Sequence, residues 1–340
     1  MSVEVLFLNN QDMRELGCAD MNAVIHDVER AYSLFESGDV ITPGKVVMRF
    51  GDSPEAENVY GRINCMPGYI GGEYDMSGVK WIGSGPMNYK QGLPRASTTI
   101  VLNDPDTKLP VCFADGTEVS AKRTGASGGV AMKLLSREDA SVLTICGAGA
   151  QSRTQMEAAM IVRPIQKVYI YDLFFDRCEQ FAQEMGEKYP GVTIIPTTAE
   201  GLGDAVRESD IIITVTLALE PFIKAEWIKK GTLIAQMATH EVEYGCITNA
   251  DKIVVDFWDT IKHRMASTIA IMASEGLVKD EDIDAELGEI INGKKTGRDN
   301  DDQIIYFNAV GAGILDLAVT TRCYRKAVAE GKGTLVNYWA

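Results

Sequence analysis

The chain has 340 residues, 46% of them hydrophobic and 8% aromatic, which suits about two domains with full cores and excludes a disordered chain. With 33 basic and 48 acidic residues its formal charge is -15, which disfavours nucleic acid and anionic membranes as partners but allows a small basic pocket. No apolar run reaches the roughly 18 residues of a membrane span, and the N-terminus lacks the basic start and apolar stretch of a signal peptide, so a cytoplasmic location is expected.

In chain order, the first predicted element is an amphipathic helix over residues 22–37. Short strands broken by glycine and proline follow at 45–50, 60–66, 78–84 and 97–102. No helices alternate with them, so their sheet should be largely antiparallel or mixed. From residue 139 to 256 the pattern changes. Strands at 141–146, 167–172, 192–197, 211–216, 232–239 and 252–256 are joined, in the first half, by helices ending near Pro164 and spanning 176–189 and 199–208. This alternation predicts an α/β fold with a doubly wound parallel sheet. Residues 293–302 form a polar loop, read either as a solvated connection or as a loop near a ligand. The tail holds a helix over 312–330, a glycine turn and a last strand over 335–339, suggesting that the chain returns to its first domain. The expected organisation is an α+β substrate-binding and dimerisation domain of residues 1–125 plus 310–340. A dinucleotide-binding Rossmann domain of residues 126–309 is inserted in it. Because an open sheet needs its edges covered, a homodimer is expected. Seven scattered cysteines without a C-x-x-C pair read as reduced thiols. His26, His240 and His263 show no metal-ligand spacing, and no metal is expected.

Gly147-Ala-Gly-Ala-Gln-Ser152 is a G-x-G-x-x-S stretch that follows a strand and opens a helix, the context in which such a motif carries meaning. Gly147 should permit the tight turn, and Gly149 the close approach of a pyrophosphate to the helix N-terminus beside Ala150 and Gln151. Asp172 ends the next strand, where an acid accepts from ribose hydroxyls. It would repel a 2′-phosphate, and the following Leu173-Phe-Phe supplies no arginine, so NAD is expected over NADP.

The stretch from Gly78 to Gln151 contains Gly78-Val-Lys-Trp, Asn88, Gly92-Leu-Pro, Val101-Leu-Asn-Asp, Arg123-Thr-Gly-Ala and Gly147-Ala-Gly-Ala-Gln. Met66-Pro67 precedes it, and Gly297-Arg298 and Ala309-Val-Gly311 follow. This ordered set resembles the ornithine cyclodeaminase/μ-crystallin family, which includes alanine dehydrogenases and imine reductases. The resemblance implies a Rossmann domain beside a substrate domain whose sheet pairs with that of a second subunit. By position it implies that Lys80 holds the substrate carboxylate beside the reacting carbon, and that Arg123 lies near both carboxylate and cofactor phosphates. It also implies that Lys45 replaces an arginine for the same carboxylate, and that Thr124, Thr216 and Val310 contact the cofactor. Two or three cations on one carboxylate would fix Cα for hydride transfer. The strand Gly78-Val-Lys-Trp should point Val79 and Trp81 to the core and Lys80 to a cleft.

Departures from the family pattern carry information too. Asn64 and His240 stand where ornithine-type members have acids for the amino groups of a diamine. With Arg62 on the same strand face as Asn64, the set Arg62, Lys80, Arg123 and His240 suits a more anionic substrate. His240 remains able to act as acid or base near neutral pH. The leading expectation is an NAD(H)-dependent amino-acid dehydrogenase or imino-acid reductase. A cyclodeaminase-type lyase and a non-catalytic NAD(H)-binding protein are the alternatives.

Overall fold

The computed structural model describes residues 3–51 and 61–339; residue 60, the expected start of the second strand, lies outside them. The chain is α/β and divides into two compact units, Met1–Arg123 with Ala312–Ala340, and Thr124–Gly311. No helix among the described residues is long and apolar enough to cross a membrane.

The first unit is built on a mixed sheet. Strands Thr334–Trp339, Val3–Leu8, Pro110–Asp115, Ala96–Asn103, Met76–Ser84 and Gly61–Ile70 lie in that order, and both Val40–Ile41 and Val46–Phe50 pair with Gly61–Ile70. Val3–Leu8 runs parallel to Pro110–Asp115, and the other pairings are antiparallel. These two parallel strands were not foreseen from the sequence. Each is six residues long and finds its partner about a hundred residues away, so no local pattern announces it.

One register row crosses five strands through Met66, Lys80, Ile100, Ala114 and Leu8, all buried. The helix Gly313–Glu330 covers this face. A Cβ on Gly313 would stand 2.6 Å from the Met66 carbonyl oxygen, and one on Gly68 would meet Ile314 and Leu317. Glycine is therefore what lets helix and sheet close together. This packing corrects one expectation. The alternation of Gly78-Val-Lys-Trp is as expected, but Trp81 is 43% exposed and Lys80 only 1%. The helix from the end of the chain covers the lysine face, so Lys80, not Trp81, points into the core.

The second unit carries an all-parallel, Rossmann-like sheet. Its order is Thr193–Thr197, Lys167–Tyr171, Val142–Cys146, Ile211–Thr214, Leu233–Gln236, Ile305–Asn308, Lys252–Val255 and Ala285–Glu286. The central strands are apolar on both faces, as a sheet covered on both sides requires; Ile211, Ile212, Ile213, Leu233, Ile234 and Ala235 are fully buried. Ile305–Asn308 slips between two strands that precede it in sequence, an insertion that periodicity does not reveal. Strand order reverses between Val142–Cys146 and Ile211–Thr214, and such a switch point leaves a crevice at the carboxyl ends of the strands. The polar loop at 293–302 is tied down within this unit: Lys252 pairs with Asp299 at 2.9 Å, and Arg298 donates to the carbonyls of Leu135 and Gln303.

Candidate active site

In the first unit the buried lysine has companions. Lys80 Nζ lies 2.7 Å from Asp316 Oδ1 and donates to Ser120 Oγ at 2.7 Å, while Arg123 Nε lies 3.1 Å from Asp316 Oδ2. Asp316 is fully buried on the covering helix. Burial, and then the like charge of Arg123, lower the Lys80 pKa to about 8, with Asp316 pulling the other way. A carboxylate shared by two cations fixes both heads on one spot of the sheet face. By strand register Asn64 and Arg62 share that face, since Met66, Asn64 and Arg62 alternate along one strand and Met66 faces the helix. The buried Oδ1 of Asn64 meets no donor among the described residues. Lys45 is half-buried, one residue before the strand Val46–Phe50.

In the second unit the glycine loop sits at the switch point. Gly147 has φ +104°, its N–H donates to the Tyr171 carbonyl, and a Cβ there would stand 2.9 Å from the Val215 carbonyl oxygen. Only glycine fits. Gly149 caps the helix Ala150–Val162 in an extended conformation, and a Cβ on it would meet open space. Gly149 and Ala150 are exposed, so the first N–H groups of a 13-residue helix face outward where a pyrophosphate would bind. The loop is braced from behind: Arg153 donates to the carbonyls of Ala148 and Gly149 at 2.8 and 2.9 Å and pairs with Glu184. Gln155 Nε2 donates to the Thr124 carbonyl at 3.0 Å. Gly125 and Gly128 abut Thr154 and Gln155, where side chains would collide. The buried Oε1 of Gln151 has no donor among the described residues. These features fit a dinucleotide.

Asp172 accepts from Ala148 N–H at 2.8 Å and Phe174 N–H at 3.0 Å, one bond to each oxygen, so its carboxylate is locked at the strand end with lone pairs to spare. The expectation that no arginine stands nearby is overturned. Arg177 stacks on the Phe174 ring, 4.5 Å from its centroid, and reaches within 3.9 Å of Asp172 Oδ1. The helix Phe175–Lys188 begins at once after the strand, and its first turn carries Arg177 back over the acid.

The remaining candidates of this unit hang on two buried acids. Glu241 is fully buried and accepts from the hydroxyls of Thr214 and Thr216 and from Thr216 N–H, each at 2.6 Å, and from Thr239 N–H at 3.3 Å. Burial raises its pKa while these donors oppose the rise. It thereby joins the loops after two neighbouring strands and sets both Thr216 and the segment carrying His240. The buried Nε2 of His240 has no partner among the described residues; its ring lies 6.1 Å from that of Tyr244. Asp256, also fully buried, accepts from Val310 and Gly311 N–H at 3.0 and 2.7 Å, so it fixes the backbone at Val310. No group of metal-ligating side chains occurs among the described residues.

The chain matches the description "Ornithine cyclodeaminase/mu-crystallin family" over residues 5–331. It belongs to that family. It is 32% identical over the full length of both chains to N-((2S)-2-amino-2-carboxyethyl)-L-glutamate dehydrogenase of Staphylococcus aureus. Among solved structures it is similar to an archaeal alanine dehydrogenase dimer with bound NAD (31% identity, 99% and 100% of the two chains covered, TM-score 0.89). It is also similar to Δ(1)-pyrroline-2-carboxylate reductase of Thermococcus litoralis in complex with NADH and L-proline (36% identity, 98% and 100% covered, TM-score 0.86). Thus the family members it resembles are amino-acid dehydrogenases and an imino-acid reductase, and the two structures hold NAD or NADH.

Four side chains that order the candidate groups escaped the sequence reading: Asp316 in the first unit, and Glu241, Asp256 and Arg153 in the second. Asp316 had a signal, as an acid alone within Gly313-Ile-Leu-Asp-Leu-Ala-Val, an apolar helical run that must hide it. A buried lysine elsewhere then requires such a partner. The other three support backbone from behind, and nothing in their spacing marks them.

Proposed function

We propose that the chain is an NAD(H)-dependent oxidoreductase acting on the C–N bond of an anionic amino or imino acid. The observation that carries this reading is the cation pair Lys80 and Arg123, held by Asp316 on a buried sheet face. A charged lysine in a core costs several kcal/mol unless paired, and such an arrangement is suited to gripping a carboxylate in a water-poor site. NAD, held by Gly147, Gly149, Ala150, Gln151, Asp172, Thr216 and Val310 with Arg123 and Thr124, would supply or accept the hydride. Lys80, Arg123 and Lys45 would hold the α-carboxylate, so that Cα is fixed, and the positive charge of Lys80 would favour electron density arriving there. His240, with its unpartnered Nε2, would give the substrate nitrogen the proton that balances the hydride.

The lack of a carboxylate at Asn64 and His240 leaves nothing there for the second ammonium of a diamine, which disfavours a cyclodeaminase. The substrate named for the Staphylococcus relative bears carboxylates on both arms of a secondary amine, in keeping with the surplus of cations here. The test is a screen of 2-oxo acids with ammonia, alanine, serine or glutamate as amine and NADH as reductant. Net NADH oxidation that needs both partners supports the reading. Absence of turnover across the panel by a folded, NADH-binding chain overturns it.

Assembly gives a second expected outcome. Val46, Met48, Phe50 and Trp81 are all exposed, and register places them together on the sheet face turned away from the helix. An apolar face of this kind favours a second copy. Light scattering at micromolar concentration should give twice the 37.1 kDa chain mass, and Trp81→Glu should shift the protein toward monomer. A monomer in the unaltered protein would contradict this.

A further inference from the structure

The strand Leu233–Gln236 places three apolar residues in the core of the second unit and ends on a fully buried amide. A buried glutamine loses its hydration and is stable only where protein groups replace it. Here its oxygen and both of its N–H groups are engaged. Gln236 Oε1 accepts from the Tyr306 hydroxyl, and Nε2 donates to the Thr239 carbonyl at 2.6 Å and to Thr268 Oγ1 at 3.0 Å. Thr268 in turn donates to the Val242 carbonyl at 3.2 Å. Burial, and then the charge of Glu241, push the Tyr306 hydroxyl well above its ordinary range, so it keeps its proton and donates. The sense of the amide is thereby fixed, since the flipped form would set Oε1 against the Thr239 carbonyl.

The two carbonyls held in this way, those of Thr239 and Val242, lie on either side of His240 in the chain. The peptide that leads from Thr239 into His240 is pinned at its oxygen, one residue before the ring. Glu241 accepts from Thr239 N–H, and its backbone carbonyl accepts from Phe222 and Ile223 N–H. The strand end is itself tied to the strand that leads to Val310, because Asn308 Nδ2 and Ala309 N–H both donate to the Gln236 carbonyl. An apolar residue of the same length would fill this space about as well. What the amide alone supplies is a fixed course for residues 239–242.

We infer that Gln236 is a positioning residue: its amide, oriented by Tyr306, sets the direction in which this segment presents the His240 ring. A part in proton delivery rests on the proposed oxidoreductase reading; the positioning itself does not, and the test separates the two. Gln236→Met keeps the length of the side chain and removes the amide. Tyr306→Phe keeps the packed ring and removes the hydroxyl that orients the amide. The chain has only three histidines, His26, His240 and His263, so isotope-labelled imidazole rings in the NAD-loaded protein give NMR signals that His240→Gln assigns.

In both variants the His240 signal should move while those of His26 and His263 stay in place. On a substrate found by the 2-oxo acid screen, kcat should fall at least about tenfold with Gln236→Met and about threefold with Tyr306→Phe, while KM for NADH stays within about twofold. In a His240→Gln background, Gln236→Met should lower kcat by less than about twofold more, because nothing is left to position. A His240 signal that stays in place, or moves together with the other two, would overturn the inference. So would a Gln236→Met loss that multiplies in full in the His240→Gln background. Should Gln236→Met fail to fold, Tyr306→Phe decides by the same signal and the same background. A His240 signal that moves in a protein turning over no amino or imino acid would keep the positioning and refute the oxidoreductase reading instead.

Discussion

Lys80→Ala is expected to lower kcat/KM about 30- to 1000-fold, the roughly 2–4 kcal/mol of one charge-assisted contact to a transition state. From sequence alone this variant would be expected to fold normally. The geometry says otherwise. With Lys80 gone, Asp316 stays fully buried beside Arg123 with one cation fewer, and breaking a buried pair costs about 3–5 kcal/mol. The melting temperature should therefore fall with the rate.

The double variant Lys80→Met with Asp316→Asn separates the two effects. It removes the charges of Lys80 and Asp316 at similar volume but leaves Arg123 facing a neutral amide, so it should regain part of the lost stability and none of the lost rate. NADH affinity should stay near normal in both. Near-normal kinetics in a folded Lys80 variant would remove this residue from the mechanism.

The pH dependence has two signs. Since burial holds Lys80 at about 8 against an ordinary 10.5, the ammonium, and with it the rate, should be lost as pH rises through 8. Stability should move the other way. Between the folded and unfolded pKa values the unfolded chain binds more protons, so the lysine's contribution to stability increases from pH 8 toward 10.5. The cost of its buried charge is fully present below 8.

The second large effect concerns cofactor choice. Asp172 should make NADH bind about a hundredfold more tightly than NADPH, through charge-assisted bonds to the ribose and repulsion of a 2′-phosphate. Asp172→Ser should bring the two within about tenfold. Arg177 makes the prediction sharper: it partly offsets the negative charge of Asp172 and stands ready for a 2′-phosphate. Arg177→Ala should widen the preference, and Asp172→Ser with Arg177 retained should favour NADPH more than the double replacement does. Fluorescence titration of the four proteins with both cofactors reads this directly. Equal affinity in the unaltered protein would refute the role given to Asp172.

What was legible in the sequence follows from how local each signal is. The glycine loop and Asp172 lie within one strand-loop-helix-strand stretch, so residue type and spacing fix their geometry, and the parallel sheet announces itself through alternation. The alternation around Lys80 was legible too, but not which face was covered, because the covering helix arrives more than two hundred residues later. Arg177 was missed for a smaller reason: the helix starts at Phe175, so a residue five positions beyond Asp172 returns to the strand end. Glu241 and Asp256 bind backbone groups of loops that sequence does not bring together.

The central claim is that hydride moves between NADH and the Cα held by Lys80 and Arg123. Its most direct measurement is the reaction of a 2-oxo acid and an amine with NADH carrying deuterium at both C4 positions, followed by mass spectrometry of the product. One deuterium at Cα per NADH consumed is expected, with the yield collapsing in the Lys80→Met, Asp316→Asn protein. Amine product without deuterium, or deuterium transfer undiminished in that variant, would contradict it.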